Sequence, residues 1–368
     1  MTPVRMGVIG CGAIAQVHHM PNLVDLPDLF TVTAVCDVSR GAADYVAAKF
    51  HVPHAFTDYR ELLASGEVDA VLLCQSDPKT QVAVDAFGVG KHVFVEKPMC
   101  FSVQEADRII AAQRQAGTVG QVGYMKVYDP AYETALAEVQ DMDSIRFIQV
   151  NHLHPNNDLH VRQFDVRKFN DIPAEATAAL NAARAAAREE AIGATSANVS
   201  PEVARAFHLL SGSMIHDLYG MRIMLGLPSR IVATDIWFDG RAFTMTLEYP
   251  NGARCVASWV DLPELWDFKE TLEVYGDRKR VIVAYPTGFS RGILSTVTVQ
   301  GIDERGVTYR KEPAIDWESA FVREMRHFHD CIVRGTVCRT PVASARDDIR
   351  FIIDVVEAYK QRAMAAAG

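Results

Sequence analysis

The stretch VRMGVIGCGAIA, residues 4–15, decides the fold, because a short apolar run leads directly into a Gly-x-Gly-x-x-Ala pattern. This arrangement is typical of a buried strand that turns into a helix. Gly10 permits the tight turn and Gly12 lets a phosphate approach the backbone. The free N–H groups of Ala13 and Ile14 lie at the start of the following helix, and helix N-termini attract anions. We therefore expect a dinucleotide-binding turn after the first strand.

A second apolar strand, TVTAVC, ends at Asp37, where a carboxylate can accept both ribose hydroxyls of NAD. The same carboxylate repels the 2′-phosphate that distinguishes NADP. Arg40 follows closely, however, and an arginine at this point could pair with that phosphate. The residues favour NAD and keep NADP as the alternative.

Strand-like and helix-like segments alternate up to residue 124, which predicts a Rossmann-type doubly wound parallel sheet over residues 1–124. Ligands of such sheets bind at the carboxyl ends of the strands. Two predicted strands run into polar residues there. The first is followed by Gln75, Ser76 and Asp77, and the second, in HVFVEKPMC, by Glu96, Lys97 and Pro98.

From residue 125 onward, strand-like runs follow one another with short turns and without intervening helices. This pattern predicts an α+β domain with a large, mostly antiparallel open sheet over residues 125–343, followed by a C-terminal helix over 344–368. A polar and then alanine-rich helical insertion occupies about 155–210. We expect the insertion to cover the substrate cleft or to make an oligomer contact, with a merely solvated helical excursion as the alternative.

Composition narrows the class of protein. The net charge of −9 argues against nucleic acid or an anionic membrane as the main partner. Scattered cysteines and the lack of a signal-peptide pattern predict a cytoplasmic protein. Four potential metal ligands lie close in sequence, but CIVRGTVC lacks the C-x₂-C spacing, so no metal is expected. These four are His327, His329, Cys331 and Cys338.

Several motifs together resemble the glucose–fructose oxidoreductase, inositol dehydrogenase and rhizopine-catabolism family, known as Gfo/Idh/MocA. The resemblance rests on GCGAIA, the strand that ends at Asp37, VEKPM, and the later His216-Asp217…Arg222…Gly226. The stretch QVGYMKVYDPAY, residues 121–132, is most similar to the inositol dehydrogenase branch.

This resemblance implies an NAD(P)-dependent oxidoreductase acting on a secondary hydroxyl or ketone of a cyclitol, sugar or sugar derivative. It makes Lys97 the proton-transfer residue beside the nicotinamide, with a cis peptide bond to Pro98, and His216 an assisting residue. A lysine can serve as a base only if burial or a nearby cation lowers its pKa. The expected dinucleotide contacts are Gly10, Gly12, Ala13, Ile14, Asp37, Arg40, Gln75, Ser76, Asp77, Thr80, Glu96, Lys97, Pro98 and Gln121.

The helix that starts at Ser213 departs from the family pattern at two positions. Gly212 stands where the family has an acid four residues before the histidine, and Tyr219 replaces a second acid. Asp217 points about 100° away from His216 on a helix, so we do not expect a Lys/Asp/His triad. The expected substrate contacts are Lys97, Lys126, Tyr128, His154, Asn157 and His216. For Lys126 the alternative is a solvated side chain.

Two other function classes stay open beside the dehydrogenase. A redox-neutral enzyme of the glycosidase or epimerase type would oxidise and then re-reduce its substrate with a retained NAD. A non-catalytic sensor would bind the dinucleotide alone. The resemblance also implies a homodimer or homotetramer that assembles through the sheet of the second domain.

Overall fold

The computed structural model describes residues 2–193 and 199–367, and the chain divides into two compact units. Unit 1 comprises Met1–Tyr124, Val161–Ser196 and Phe321–Arg350, and unit 2 comprises Met125–His160, Ala197–Ala320 and Phe351–Gly368. The predicted division differs from this grouping, because the sequence places residues 161–196 and 321–343 in the second domain and residues 344–350 in the C-terminal helix.

Unit 1 is built on a six-stranded parallel sheet with the strand order β3-β2-β1-β4-β5-β6. This is the doubly wound order of a dinucleotide-binding fold, as predicted. The strands are β1 Val4–Ile9, β2 Phe30–Cys36, β3 His54–Phe56, β4 Ala70–Leu73, β5 His92–Glu96 and β6 Gly120–Gly123. The helices between them are α1 Met20–Val24, α2 Arg40–Phe50, α3 Tyr59–Ala64, α4 Thr80–Gly88 and α5 Val103–Ala116.

Local sequence signals explain where these helices begin. The Ser39 hydroxyl accepts a hydrogen bond from Ala42 N and caps α2. Ser102 and Glu105 form a reciprocal capping box at the start of α5. The helix after the glycine-rich turn differs from a regular α-helix, because a π-helical turn, Ala15–His19, precedes α1.

Tertiary contacts explain why residues 321–350 belong to unit 1. A bridge pairs Gln121 of β6 with Pro341, and Val122 N donates to Thr340 O at 2.8 Å. Helix α11, Ala320–Arg334, also packs its Phe328 ring edge-on against Phe94 of β5 at 5.6 Å between centroids. Such long-range packing cannot be deduced from periodicity, so the sequence analysis missed it.

Unit 2 is built on an eight-stranded sheet with the order β14-β13-β12-β11-β7-β10-β9-β8. All neighbours are antiparallel except β7 and β10, which confirms the predicted mostly antiparallel sheet. The strands are β7 Phe147–His154, β8 Arg230–Trp237, β9 Ala242–Glu248, β10 Arg254–Asp261, β11 Lys269–Tyr275, β12 Lys279–Tyr285, β13 Thr296–Ile302 and β14 Thr308–Lys311.

The remaining helices are α6 Pro130–Gln140, α7 Asp158–Val161, α8 Ala174–Arg188, α9 Pro201–Leu209, α10 Ile215–Leu225 and α12 Val342–Ala367. Helix α12 includes the predicted C-terminal helix. Helix α8 is the alanine-rich part of the insertion, and Ala187 is its one buried residue. Within the described ranges, 2–193 and 199–367, no helix is both long and apolar enough to cross a membrane.

Candidate active site

The glycine-rich turn lies at the carboxyl end of β1, between the ends of β2 and β4. Gly10 has a φ of +97°, and a Cβ at this position would lie 2.2 Å from the backbone nitrogen of Gln75. The position therefore requires glycine. Gly12 is exposed, and a Cβ there would have no heavy atom within 4 Å. Open space above the turn is what a bound pyrophosphate needs.

Asp37 lies directly opposite this turn. Its carboxylate accepts hydrogen bonds from Cys11 N at 2.8 Å and from Ser39 N at 2.9 Å. These bonds fix the acid where the ribose of a bound dinucleotide is expected. Arg40 is exposed, and its guanidinium pairs with Asp44 one helical turn away, at 2.9 Å.

The loop after β4 contributes a buried amide. Neither amide atom of Gln75 has a hydrogen-bond partner among the described residues. A buried amide without partners carries a free-energy cost, and a ligand with a donor or acceptor at this edge would remove it. Ser76 is exposed beside it, and Asp77 forms an ion pair with Lys79. The open turn, the ribose acid and this amide together fit a bound dinucleotide.

Two other predicted contacts are engaged within unit 1. The Thr80 hydroxyl donates to Glu105 Oε1 at 2.7 Å, and Thr80 is buried. The Gln121 amide donates to Glu324 O at 3.0 Å, and its oxygen accepts from the Cys338 thiol. Their role toward a dinucleotide stays a prediction.

A buried ionic cluster lies beneath the end of β5. Glu96 Oε1 lies 2.6 Å from His19 Nε2, and Glu96 Oε2 accepts from Lys97 N at 3.0 Å. Burial raises the pKa of Glu96, but the hydrogen bond and charge of His19 outweigh it and leave the pKa below its usual value. Burial and the charge of Glu96 raise the pKa of Glu324 well above its ordinary range.

Lys97 follows Glu96 at the carboxyl edge of the sheet, and its peptide bond to Pro98 is cis, as the resemblance implies. Burial lowers the pKa of Lys97. The Glu96 and Asp77 charges oppose that shift, and the Lys79 charge adds to it. The pKa of Lys97 is thus shifted in the direction that a lysine acting as a base requires.

Replacing Lys79 with Met should move the activity profile to higher pH. The Lys79 ammonium lowers the pKa of Lys97 and also pairs with Asp77, whose negative charge raises it. Removing Lys79 therefore raises the pKa of Lys97 on both counts, and the neutral base forms at higher pH. We expect the midpoint of kcat against pH in the oxidation direction to rise, measured by steady-state kinetics. An unchanged or lower midpoint would contradict this assignment.

Unit 2 contains its own buried polar cluster, centred on β7. The Lys126 ammonium forms an ion pair with Glu270 of β11, and both side chains are almost fully buried. Lys126 Nζ also lies 4.5 Å from the centroid of the Tyr285 ring. The alternative of a solvated Lys126 side chain is therefore wrong.

A chain of three polar groups continues from this ion pair. The Asp217 carboxylate lies 2.7 Å from His152 Nδ1, and His152 Nε2 lies 3.1 Å from His154 Nδ1. Asp217 and His152 are buried, whereas His154 is half-buried and stacks on Trp259 at 5.5 Å. A buried carboxylate fixes the orientation of the histidine it contacts, so Asp217 can hold His152 and, through it, His154.

Tyr219 replaces the missing second acid with a hydroxyl. His216 Nδ1 lies 3.0 Å from the Tyr219 hydroxyl, which also accepts a hydrogen bond from Lys126 N at 3.2 Å. A Cβ at Gly212 would have no heavy atom within 4 Å. At the position where the resemblance implies an acid, a Cβ would therefore enter open space.

The structure places the other predicted substrate residues unequally. Tyr128 is buried with 1% of its surface exposed, and Asn157 is exposed at the end of β7. His154 and His216 are both half-buried. Contact with substrate stays a prediction for each of them.

Four groups of these clusters were not predicted from the sequence, namely His19, His152, Glu270 and Glu324. One signal was available for His152, because alternate residues of a strand share a face and His154 is two positions away. His152 directly opposes Glu270 in the pairing of β7 with β11. His19 and Glu324 carried no comparable signal, since they meet Glu96 only through tertiary packing.

Two sets of potential metal ligands lie within 4.8 Å in the described part of the chain. One set is His327, Cys331 and Cys338, and the other is His152, Asp217 and Glu270. The Arg339 backbone N–H already occupies the His327 ring nitrogen at 3.0 Å. The Lys126 ammonium likewise supplies the positive charge beside Glu270. In each set, a protein group therefore already contacts one of the potential metal ligands.

Comparisons with known proteins agree with this geometry. Residues 4–124 match the Gfo/Idh/MocA family model, described as an oxidoreductase family with an NAD-binding Rossmann fold. The inositol 2-dehydrogenase of Paracoccus denitrificans (strain Pd 1222) is 36% identical over 143 residues, 37% of this chain and 42% of that protein. The inositol 2-dehydrogenase of Burkholderia multivorans is 37% identical over 145 residues, 39% of this chain and 42% of that protein. Each match covers about two fifths of the relative's own length.

Solved structures resemble the whole chain. A UDP-N-acetylglucosamine 3-dehydrogenase from Acidithiobacillus ferrooxidans has a TM-score of 0.71 at 18% identity, covering 98% of this chain and 99% of that chain. A 3-ketoreductase from Actinomadura kijaniata has a TM-score of 0.69 at 17% identity, covering 98% and 97%. At such identities the likeness establishes the fold alone. Residues 4–124 are therefore similar to the Gfo/Idh/MocA oxidoreductase family with its NAD-binding Rossmann fold.

Proposed function

We propose that the protein is an NAD-dependent dehydrogenase that acts on a secondary hydroxyl, or the matching ketone, of a cyclitol, sugar or sugar derivative. The observation that carries this proposal is Lys97, a lysine of lowered pKa at the carboxyl edge of the Rossmann sheet. The names of the relatives support the substrate class, since they include inositol 2-dehydrogenases.

Lys97 is the proton-transfer residue in this proposal. A bound dinucleotide supplies the hydride acceptor for the C–H hydrogen of the alcohol. As the carbonyl forms, Lys97 Nζ takes the hydroxyl proton and later releases it to water. Glu96, fixed by His19, holds the backbone N–H of Lys97 and so positions the residue.

The half-buried histidines of unit 2 are the proposed substrate contacts. His216 rests on the Tyr219 hydroxyl, and His154 is connected through His152 to the Asp217 carboxylate. Each imidazole is thus held by a buried neighbouring side chain, while part of its own surface remains accessible. Oriented imidazoles suit the hydroxyl groups of a polyol, because each ring can donate and accept hydrogen bonds. Lys126 supports this arrangement by compensating the negative charge of the buried Glu270 carboxylate.

Redox-neutral chemistry with a retained NAD is the second candidate. The observation that favours it is the docking of residues 161–193 along the edge of the Rossmann sheet, where Arg184 Nε donates to Asp77 O at 3.1 Å. A segment fixed beside the dinucleotide site would slow exchange of the dinucleotide. A sensor role remains the third reading, and it would leave the lowered pKa of Lys97 without a purpose.

The decisive experiment follows absorbance at the reduced-nicotinamide band with NAD, and separately with NADP. The substrates are a panel of inositols, pyranoses and glycosides. We expect NADH to accumulate with at least one of them. Substrate turnover without net NADH would support the redox-neutral candidate, and dinucleotide binding without any turnover would support the sensor.

We also propose that the protein assembles as a homodimer or homotetramer through the sheet of unit 2. Alternate positions of its inner strand β10 are only half-buried in the single chain, which leaves a sheet face available for contact. Light scattering of the purified protein gives the mass that tests this. A monomer at micromolar concentration would contradict it.

A further inference from the structure

The insertion contains a segment, residues 161–193, that is part of unit 1 and docks on the dinucleotide-binding side of its sheet. We call it the insertion segment. The side-chain amide of Gln16, in the first turn after the glycine-rich loop, holds the backbone of Arg167 at both polar atoms. Arg167 N donates to Gln16 Oε1 at 2.9 Å, and Gln16 Nε2 donates to Arg167 O at 3.0 Å. The segment is thereby fixed beside the expected pyrophosphate position.

A few residues further on, the insertion segment reaches the start of α2. The Asp171 carboxylate accepts a hydrogen bond from the Ser39 hydroxyl and a second from Gly41 N at 2.7 Å. The Phe169 ring packs so closely on Gly41 that a Cβ there would lie 2.7 Å from it. The hydrogen bond from Ser39 lowers the pKa of Asp171, so the carboxylate is charged at neutral pH.

The groups that Asp171 occupies are the ones a 2′-phosphate would need. Ser39 N donates to Asp37, the ribose acid, while the Ser39 hydroxyl and Gly41 N donate to Asp171. Dinucleotide folds that take NADP accommodate the extra phosphate near this strand end with cationic groups. Here a helix N-terminus faces a resident carboxylate instead, and Arg40 is paired with Asp44.

We propose that Asp171 is a specificity-determining residue that excludes 2′-phosphorylated dinucleotides from this site. It acts in two ways, by occupying the Ser39 and Gly41 donors and by placing a second negative charge beside Asp37. The inference rests on the dinucleotide binding of the proposed function. It assigns the insertion segment a role in cofactor choice, beyond cover of a substrate cleft.

The test measures dissociation constants of NAD and NADP by isothermal titration calorimetry, without substrate. It compares the wild-type protein with Asp171→Asn, which keeps an acceptor for Gly41 N but loses the charge. The matched control is Asp165→Asn. Asp165 lies on the same segment and accepts from the Tyr45 hydroxyl at 3.1 Å, more than a turn beyond the start of α2.

We expect the wild-type protein to bind NAD at least about tenfold more tightly than NADP. Asp171→Asn should strengthen NADP binding about tenfold and change NAD binding less than about threefold, since like charges at one subsite repel. The gain should shrink with added salt, because Asp171 is exposed and its field is screened. Asp165→Asn should leave the ratio of the two constants unchanged.

A ratio that Asp171→Asn leaves unchanged would overturn the inference and assign Asp171 only to holding the segment in place. A wild-type preference for NADP would overturn it as well. Failure of the proposed function looks different, because NAD would then bind with the expected selectivity while no substrate is turned over. If neither dinucleotide binds, both proposals fall together.

Discussion

Replacing Lys97 with Met will lower kcat by about a thousandfold, within the range of two to four orders of magnitude typical of general acid–base catalysis. Methionine keeps the length and apolar stem of lysine but cannot accept the hydroxyl proton. The dissociation constant of NAD should change only a few fold, because Glu96 and the strand end keep their places. Steady-state kinetics gives the first quantity, and calorimetry gives the second.

Lys91 offers a matched control for this substitution. It lies directly before β5, at the opposite end of the strand from Lys97, and its ammonium donates to Val68 O at 2.8 Å. Lys91→Met removes a lysine next to the opposite end of β5 without touching the carboxyl edge, so kcat should stay within about twofold. A Lys97→Met protein that keeps more than about a tenth of the wild-type kcat would rule out Lys97 as the proton acceptor.

The Rossmann half of the fold could be predicted because its signals are local. The predicted alternation of strands and helices up to residue 124 is observed as strands β1 to β6 with helices α1 to α5 between them. Periodicity, capping residues and glycine positions fix such elements within a few residues.

Sequence reasoning reached the parts of the site that lie at strand ends. Asp37 and Lys97 could be placed because parallel strands deliver their last residues to one edge. The groups that tune them come from distant parts of the chain. Glu324, for example, reaches Glu96 from α11, and Asp171 reaches the start of α2 from the insertion segment. Neither partner is encoded in a local pattern.

For the helix around His216, the sequence predicts the directions of the side chains correctly but not the partners that they contact. Asp217 does lie on a different side of the helix from His216, since the two residues contact different partners, His152 and Tyr219. The sequence did not indicate that strand β7 places His152 within reach of Asp217. Although Gly212 supplies no acid, the following helix still brings a carboxylate, Asp217, into contact with a histidine, His152.

Replacing Lys126 with Met will destabilise unit 2 by about 3–5 kcal/mol, the usual cost of leaving one partner of a buried ion pair uncompensated. The Lys126 and Glu270 side chains are 4% and 2% exposed, so water cannot replace the lost ammonium. The double variant Lys126→Met/Glu270→Gln removes both charges. It should recover much of the loss, since a neutral amide is far cheaper to bury than a carboxylate.

Urea unfolding followed by tryptophan fluorescence isolates this effect. The four tryptophans, Trp237, Trp259, Trp266 and Trp317, all belong to unit 2, so their signal reports the unfolding of that unit. The free energy of unfolding should fall for Lys126→Met and for Glu270→Gln alone. It should fall by clearly less than the sum of the two losses in the double variant, because the partners are coupled.

Lys311 provides the comparison that separates burial from charge. It also pairs with a glutamate of unit 2, Glu138, but about half of its side chain is exposed. Lys311→Met should therefore cost less than about 1 kcal/mol, as exposed ion pairs do. If Lys126→Met costs no more than this control, or if the two single losses simply add, the ion pair is not the compensated buried pair that the geometry indicates. Lys126 would then be available to contact substrate directly.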